Sequence, residues 1–165
     1  MAMKNNLQKT YFAGGCFWGV EHFFQKEEGV VSTRVGYMGG DVPFPTYEQV
    51  CRGNTGHTET LEVVFDAEKV DFETLAKLFF EIHDSTQRNR QGLDIGEQYR
   101  SVIFYDNEEQ KKIAEKLVLT LREKNIDAVT EISSVKAFYP AEDYHQKYYL
   151  KSGKEPYCHA RRKIF

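Results

Sequence analysis

Cys16 lies in the run Gly14-Gly15-Cys16-Phe17-Trp18-Gly19, in the setting of a reactive thiol. A strand-like stretch, Tyr11-Phe12-Ala13, stops at the paired glycines. Beyond the cysteine, Phe17, Val20, Phe23 and Phe24 recur at three- and four-residue spacing, the mark of one buried helix face, and Gly29 supplies a stop. Cys16 is therefore expected where a glycine turn opens into a helix. Unpaired N–H groups and the positive end of the helix dipole gather at such a point. Both favour the thiolate, which is the nucleophilic form of cysteine. The same residues also suit an inert cysteine in an aromatic core, and the local pattern alone leaves both readings open.

Glu59 is the second informative residue. In an extended run over residues 57–65, alternate side chains share a face. Glu59 then falls with Leu61, Val63 and Phe65, while Thr58, Thr60, Glu62 and Asp66 occupy the face expected to meet solvent. A carboxyl group on the core side loses hydration, so its pKa rises and it can donate a proton at neutral pH. The alternative is a carboxylate turned out to water or to an arginine at the strand end. Tyr47 and Tyr99 are candidate hydroxyl donors, although among ten tyrosines either could equally pack in the core.

The elements that must position these groups are legible from periodicity. Residues 30–37 read as a strand ended by Gly39-Gly40. Asp71 caps a helix with Phe72, Leu75, Ala76, Phe79 and Ile82 inward. Residues 87–98 read as a long surface loop, 99–105 as a strand, 107–124 as the longest helix, 130–135 as a strand and 143–150 as a short helix. Strands and helices alternate loosely, which predicts an α+β fold: a two-layer α/β sandwich with a mixed or antiparallel sheet, and a long irregular C-terminal arm. A single catalytic domain spans residues 1–165, with 1–8 expected to be flexible and 151–165 forming a tail.

With 165 residues and a net charge of −3, the chain is long enough for a sizeable core and offers no basic surface for nucleic acid. No apolar run approaches the roughly 20 residues that cross a bilayer, so no membrane partner is expected and the location is expected to be cytoplasmic. Three cysteines argue against a closed disulfide framework. They are widely spread, without the local Cys/His pairs of a structural zinc site, so no metal site is expected.

The motifs also carry a resemblance. Gly15-Cys16-Phe17-Trp18-Gly19 resembles the signature of the A-type peptide methionine sulfoxide reductases. Further segments match in the same order: Gly36-Tyr37 with Gly39-Gly40, Pro45-Thr46-Tyr47 to Val50-Cys51, Gly56-His57-Thr58-Glu59, and His83-Asp84. They continue through Gln91-Gly92, Asp94, Gly96, Gln98-Tyr99-Arg100-Ser101 and Ala141-Glu142-Asp143-Tyr144-His145-Gln146. The resemblance covers roughly Tyr11 to Cys158.

The resemblance implies a plait-like α/β sandwich and reduction of methionine S-sulfoxide, free or in proteins. Cys16 would attack the sulfoxide sulfur and Glu59 would protonate the departing oxygen. Tyr47 and Tyr99 would bind that oxygen, and Asp94 would help to order the site. Phe17 and Trp18 would form an apolar pocket for the S-methyl group. No bound cofactor is implied. Thioredoxin would be the reductant, with dithiothreitol as a substitute in vitro, and oxidised proteins or peptides would be substrates.

For recycling, the family commonly has a resolving cysteine at the position of Cys158, which falls in a Gly- and Pro-containing tail. The tail continues His159-Ala160-Arg161-Arg162-Lys163-Ile164-Phe165, without the second cysteine of some relatives. Cys51, in a helical-looking run, is expected to be a small buried hydrophobe. Two rivals stay open: a thiol peroxidase, and a module that binds methionine-containing segments without turnover.

Overall fold

The computed structural model describes residues 6–157 and 159–165. In chain order the elements are β1 (Leu7–Gly14), α1 (Phe17–Phe24), β2 (Val30–Met38), α2 (Tyr47–Arg52), β3 (Thr58–Asp66), α3 (Phe72–Ile82), β4 (Arg90–Gln91), β5 (Asp94–Ile95), β6 (Ser101–Tyr105), α4 (Glu108–Glu123), β7 (Glu131–Ser134), β8 (Tyr139–Pro140) and α5 (Tyr148–Ser152). The main sheet runs β7-β6-β1-β3-β2-β8. Its pairs are antiparallel except β6 with β7.

Strand periodicity divides the core in two. Phe12 points to the helical layer, where Phe24, Phe72 and Phe79 stack around it at centroid distances of 5.0, 6.1 and 5.0 Å. Its neighbours Tyr11 and Ala13 point the other way, into a smaller cluster with Met38, Val102 and Phe104. The helices supply one layer and the sheet the other, which is the α+β sandwich expected.

The second sheet face departs from expectation. Thr58, Thr60 and Glu62 are buried rather than solvated. Val135 and Phe138 pack against the smaller cluster, and β8 extends the edge of β2. Glu62 remains charged-partnered there, accepting from the Tyr11 hydroxyl at 3.0 Å and pairing with Arg34 at 3.1 Å. Alternation within β3 reports the polarity of that face and carries no information about a distant segment folding over it.

Other boundaries shift for local reasons. β1 begins inside the stretch expected to be flexible, with Leu7 opposite Asp66 and Gln8 opposite Phe65. The loop over residues 87–98 holds the β4–β5 hairpin and a buried Gln91. The helix expected over 143–150 is interrupted by Lys147, which is left-handed at φ 52°. Before the break lies a 3-10 turn, Asp143–His145.

The tail is irregular, as expected, but its end is docked. His159 Nε2–H donates to the Gly14 carbonyl at 2.7 Å. Glu81 of α3 accepts from Arg161 at 3.1 Å and from the amides of Ile164 and Phe165 at 2.9 and 3.3 Å.

Candidate active site

Cys16 caps the N-terminus of α1 with φ −59° and ψ 122°, and is buried. The turn before it needs glycine. Gly15 has φ +94°, and a Cβ there would lie 2.7 Å from Gln91 Cβ. A side chain at Gly19 would collide with the His159 ring. The β4–β5 hairpin and the tail thus close over the turn that presents the thiol.

The thiolate expected from the helix start is not the resting form. Burial pushes the Cys16 thiol well above its ordinary value, and the Glu59 charge acts in the same direction. The amides of Trp18 and Gly19 pull it down without compensating. Magnitudes explain the outcome: a helix terminus contributes about 0.3–1 kcal/mol, under one pKa unit at about 1.36 kcal/mol per unit. Full burial shifts a group by up to about 3–5 units.

Glu59 lies on the helix side of β3, paired in register with Tyr37 of β2, and is 2% exposed. The Phe17 amide donates to Oε1 at 3.2 Å. Oε2 is buried without a hydrogen-bond partner among the described residues. Burial raises the carboxyl to about 8. The Phe17 amide opposes that rise, the Asp94 charge adds to it, and the nearby Tyr99 hydroxyl opposes it. At neutral pH the group is a carboxylic acid, so the sequence-based expectation for Glu59 meets its geometry here.

Tyr47 opens α2. Thr46 caps that helix, its hydroxyl accepting from the Gln49 amide at 3.2 Å while Gln49 Oε1 accepts from the Thr46 amide at 2.8 Å. Glu142 then accepts from the Tyr47 amide at 3.2 Å and from the Tyr37 hydroxyl at 3.0 Å. Tyr99 lies in the 3-10 turn Glu97–Tyr99. Burial holds both the Tyr47 and Tyr99 hydroxyls above the usual phenol value, and the Glu59 charge adds to this, so both remain donors. Asp94, on the hairpin, accepts from the Tyr157 hydroxyl at 3.1 Å, and its charge is felt by Cys16, Glu59 and Tyr99.

Phe17 and Trp18 separate. Phe17 is 1% exposed and packs on Tyr37 and His145, at 5.8 and 5.2 Å. Trp18 is half-buried, stacked on Tyr148 at 3.7 Å and 10°. Cys51 is exposed, contrary to the buried role expected. The short α2 turns it toward the Tyr47 hydroxyl and Gln98, and its thiol is raised by partial burial and by Glu59. Cys158 lies outside the described residues.

Glu142, His145 and Tyr148 support the site without having been singled out by sequence reasoning, although the segment 141–146 was part of the resemblance. Their signal is a run of polar and aromatic residues with no helical periodicity. A cleft of about 320 Å³ lined by Phe65, Asp71, Phe72 and Ile113 contains none of the site groups.

Comparison with known proteins points to one family. The family model described as peptide methionine sulfoxide reductase matches residues 8–165. A protein of Acinetobacter baumannii (strain AYE) named peptide methionine sulfoxide reductase MsrA is 51% identical over 152 residues, covering 92% of this chain and 88% of that one. A protein of the same name from Sulfolobus acidocaldarius is 51% identical over 153 residues, covering 92% and 87%. Mxr1 from Saccharomyces cerevisiae in reduced form superposes with a TM-score of 0.90 at 35% identity, covering 96% and 93%. Mxr1 has also been solved in complex with Trx2. Nearly the whole chain is matched in sequence and in fold, and it belongs to the peptide methionine sulfoxide reductase family.

Proposed function

We propose that this chain reduces methionine S-sulfoxide, free or within polypeptides, with Cys16 as nucleophile and Glu59 as acid. The observation that carries the reading is the buried Glu59 carboxyl, neutral at pH 7 and bonded to the amide of the residue after Cys16. A thiol peroxidase has no need of a neutral acid beside a half-buried indole.

The substrate's S-methyl group rests against Trp18, and its oxygen faces Glu59 and the hydroxyls of Tyr47 and Tyr99. Cys16 Sγ bonds to the sulfoxide sulfur as Glu59 gives its proton to the oxygen and receives the thiol proton. The S–O bond breaks and the hydroxyl ends on Cys16. The substrate sulfur gains two electrons and leaves as methionine, while Cys16 loses two and becomes a sulfenic acid. The Cys158 thiol then displaces water to form a disulfide, and a thioredoxin dithiol reduces it by exchange. The complex of the relative Mxr1 with Trx2 supports thioredoxin in that role. The cycle requires a reducing compartment, which fits a cytoplasmic location.

The test is dithiothreitol-driven reduction of each sulfoxide epimer by purified protein, with hydrogen peroxide as a competing substrate. Turnover of the S epimer alone supports the proposal. Turnover of peroxide without methionine formation overturns it.

A further inference from the structure

The β4–β5 hairpin brings Asp94 to the site on strands of two residues each, and so short a ribbon is marginal by itself. A buried glutamine with no role in the steps above fastens it. Gln91 is 5% exposed. Its Oε1 accepts from the Asp84 amide at 2.8 Å, and its Nε2–H donates to the Asp84 carbonyl at 3.0 Å. One carboxamide thus meets both backbone groups of Asp84, just beyond the end of α3. That helix is anchored in the core, with Phe79 stacked on Phe12. Gln87 adds an exposed bond, its Oε1 accepting from the Gly92 amide at 2.9 Å.

Directly opposed residues of an antiparallel pair share a face. Gln91 stands opposite Asp94, and Arg90 opposite Ile95. Gln91 and Asp94 therefore leave the hairpin on one side, and the exposed Ile95 leaves it on the other. The Gln91 side is the one that meets the nucleophile's turn, because Gln91 Cβ and Cγ pack against Gly15. A methionine has the length to fill that space. What glutamine adds is the pair of bonds to Asp84, which sets where the hairpin, and Asp94 with it, lies beside the turn.

We propose that Gln91 is a positioning residue for the reduction step, holding Asp94 close to Glu59 by locking the hairpin to the Asp84 backbone. This deepens the proposed activity and rests on it. The titratable groups that feel or perturb Glu59 are Cys16 before α1, Tyr37 of β2, Tyr47 and Cys51 of α2, Tyr99 and Asp94. Apart from Asp94 these are thiols and phenols. Burial does most to hold the proton on Glu59, the Phe17 amide opposes it, and the Asp94 charge adds to it. That last contribution depends on distance, and so on the lock.

The experiment follows single-turnover methionine release against pH in wild type, Gln91→Met, Asp94→Asn and the double variant. In wild type the rate should fall as Glu59 ionises at about pH 8. In Gln91→Met the fall should move to lower pH by about half a unit, the scale of a charge drawing back a few Å from a buried carboxyl. Asp94→Asn should move it the same way. On the Asp94→Asn background, Gln91→Met should add nothing, since residues that act through one another are not additive. A glutamine that merely stabilised the fold would leave the position of the fall unchanged.

An unmoved fall in Gln91→Met, or an equal further shift on the Asp94→Asn background, would overturn the inference. Should Gln91→Met not fold, Gln91→Ala decides by the same two results, because it removes both bonds without adding bulk at Gly15. A wild type that reduces no sulfoxide would overturn the activity itself, a distinct outcome.

Discussion

The backbone amide of Phe17 donates to Glu59 Oε1 across 3.2 Å. This bond joins β3 to the residue that follows Cys16, and so ties Glu59 to the turn that carries the thiol. It also competes with burial. The amide favours the carboxylate, burial favours the acid, and burial wins, with the carboxyl raised to about 8.

Replacing Glu59 with Gln keeps the Phe17 amide bonded and removes the proton. Methionine release in a single turnover should slow by about 10²–10⁴-fold, the usual loss when a general acid is removed. Rapid-quench measurement before any recycling isolates this step, and a rate near wild type would remove Glu59 from the chemistry.

The same residue gives stability a pH dependence of defined sign. The fold binds a proton on Glu59 that the unfolded chain releases near 4.5. Stability from this group is therefore full below about 4.5 and declines as pH rises toward about 8. The loss should be on the order of 3 kcal/mol by neutral pH. Urea unfolding of wild type and Glu59→Gln across that range should show a steeper decline in wild type, the difference between the two curves being the contribution of Glu59. A parallel pair of curves would mean that Glu59 is ionised in the fold.

Recycling should separate from reduction. In Cys158→Ser, one equivalent of methionine should form, dimedone should trap the sulfenic acid, and thioredoxin-driven turnover should collapse. Cys51→Ser should change little. A Cys16–Cys51 bridge in the oxidised protein, seen by mass spectrometry, would reverse these roles.

The tail should depend on Glu81. Burial raises its carboxyl, but the amides of Ile164 and Phe165, with Arg161, more than offset this and hold it below the ordinary value. In Glu81→Ala, the loss of charge-assisted hydrogen bonds worth about 1.5–3 kcal/mol each should raise the undocked population at least about tenfold. Trypsin should then cleave at Arg161 and Arg162 correspondingly faster, while single-turnover methionine release stays near wild type. Unchanged proteolysis would show that the clamp does not hold the tail.

Much of this was legible before the structure. Periodicity placed the strands and helices that carry Cys16 and Glu59, because those elements bury one continuous face. Alternation in β3 put Glu59 on the core side. Three things were not legible. The thiol's resting state depends on how deeply Cys16 is buried, and the groups packed on Gly15 and Gly19 around it, Gln91 and His159, lie far along the sequence. Cys51 sits on a helix too short for a periodic pattern to say which side is buried. Burial of Thr58 and Thr60 is set by tertiary packing, which no local alternation can record.

The most direct measurement of the central claim is methionine released from each sulfoxide epimer by wild-type and Cys16→Ser protein, with dithiothreitol in excess. The account predicts catalytic methionine formation from the S epimer by wild type, none from the R epimer, and none from either by Cys16→Ser. Methionine formation by the Cys16→Ser protein would contradict it.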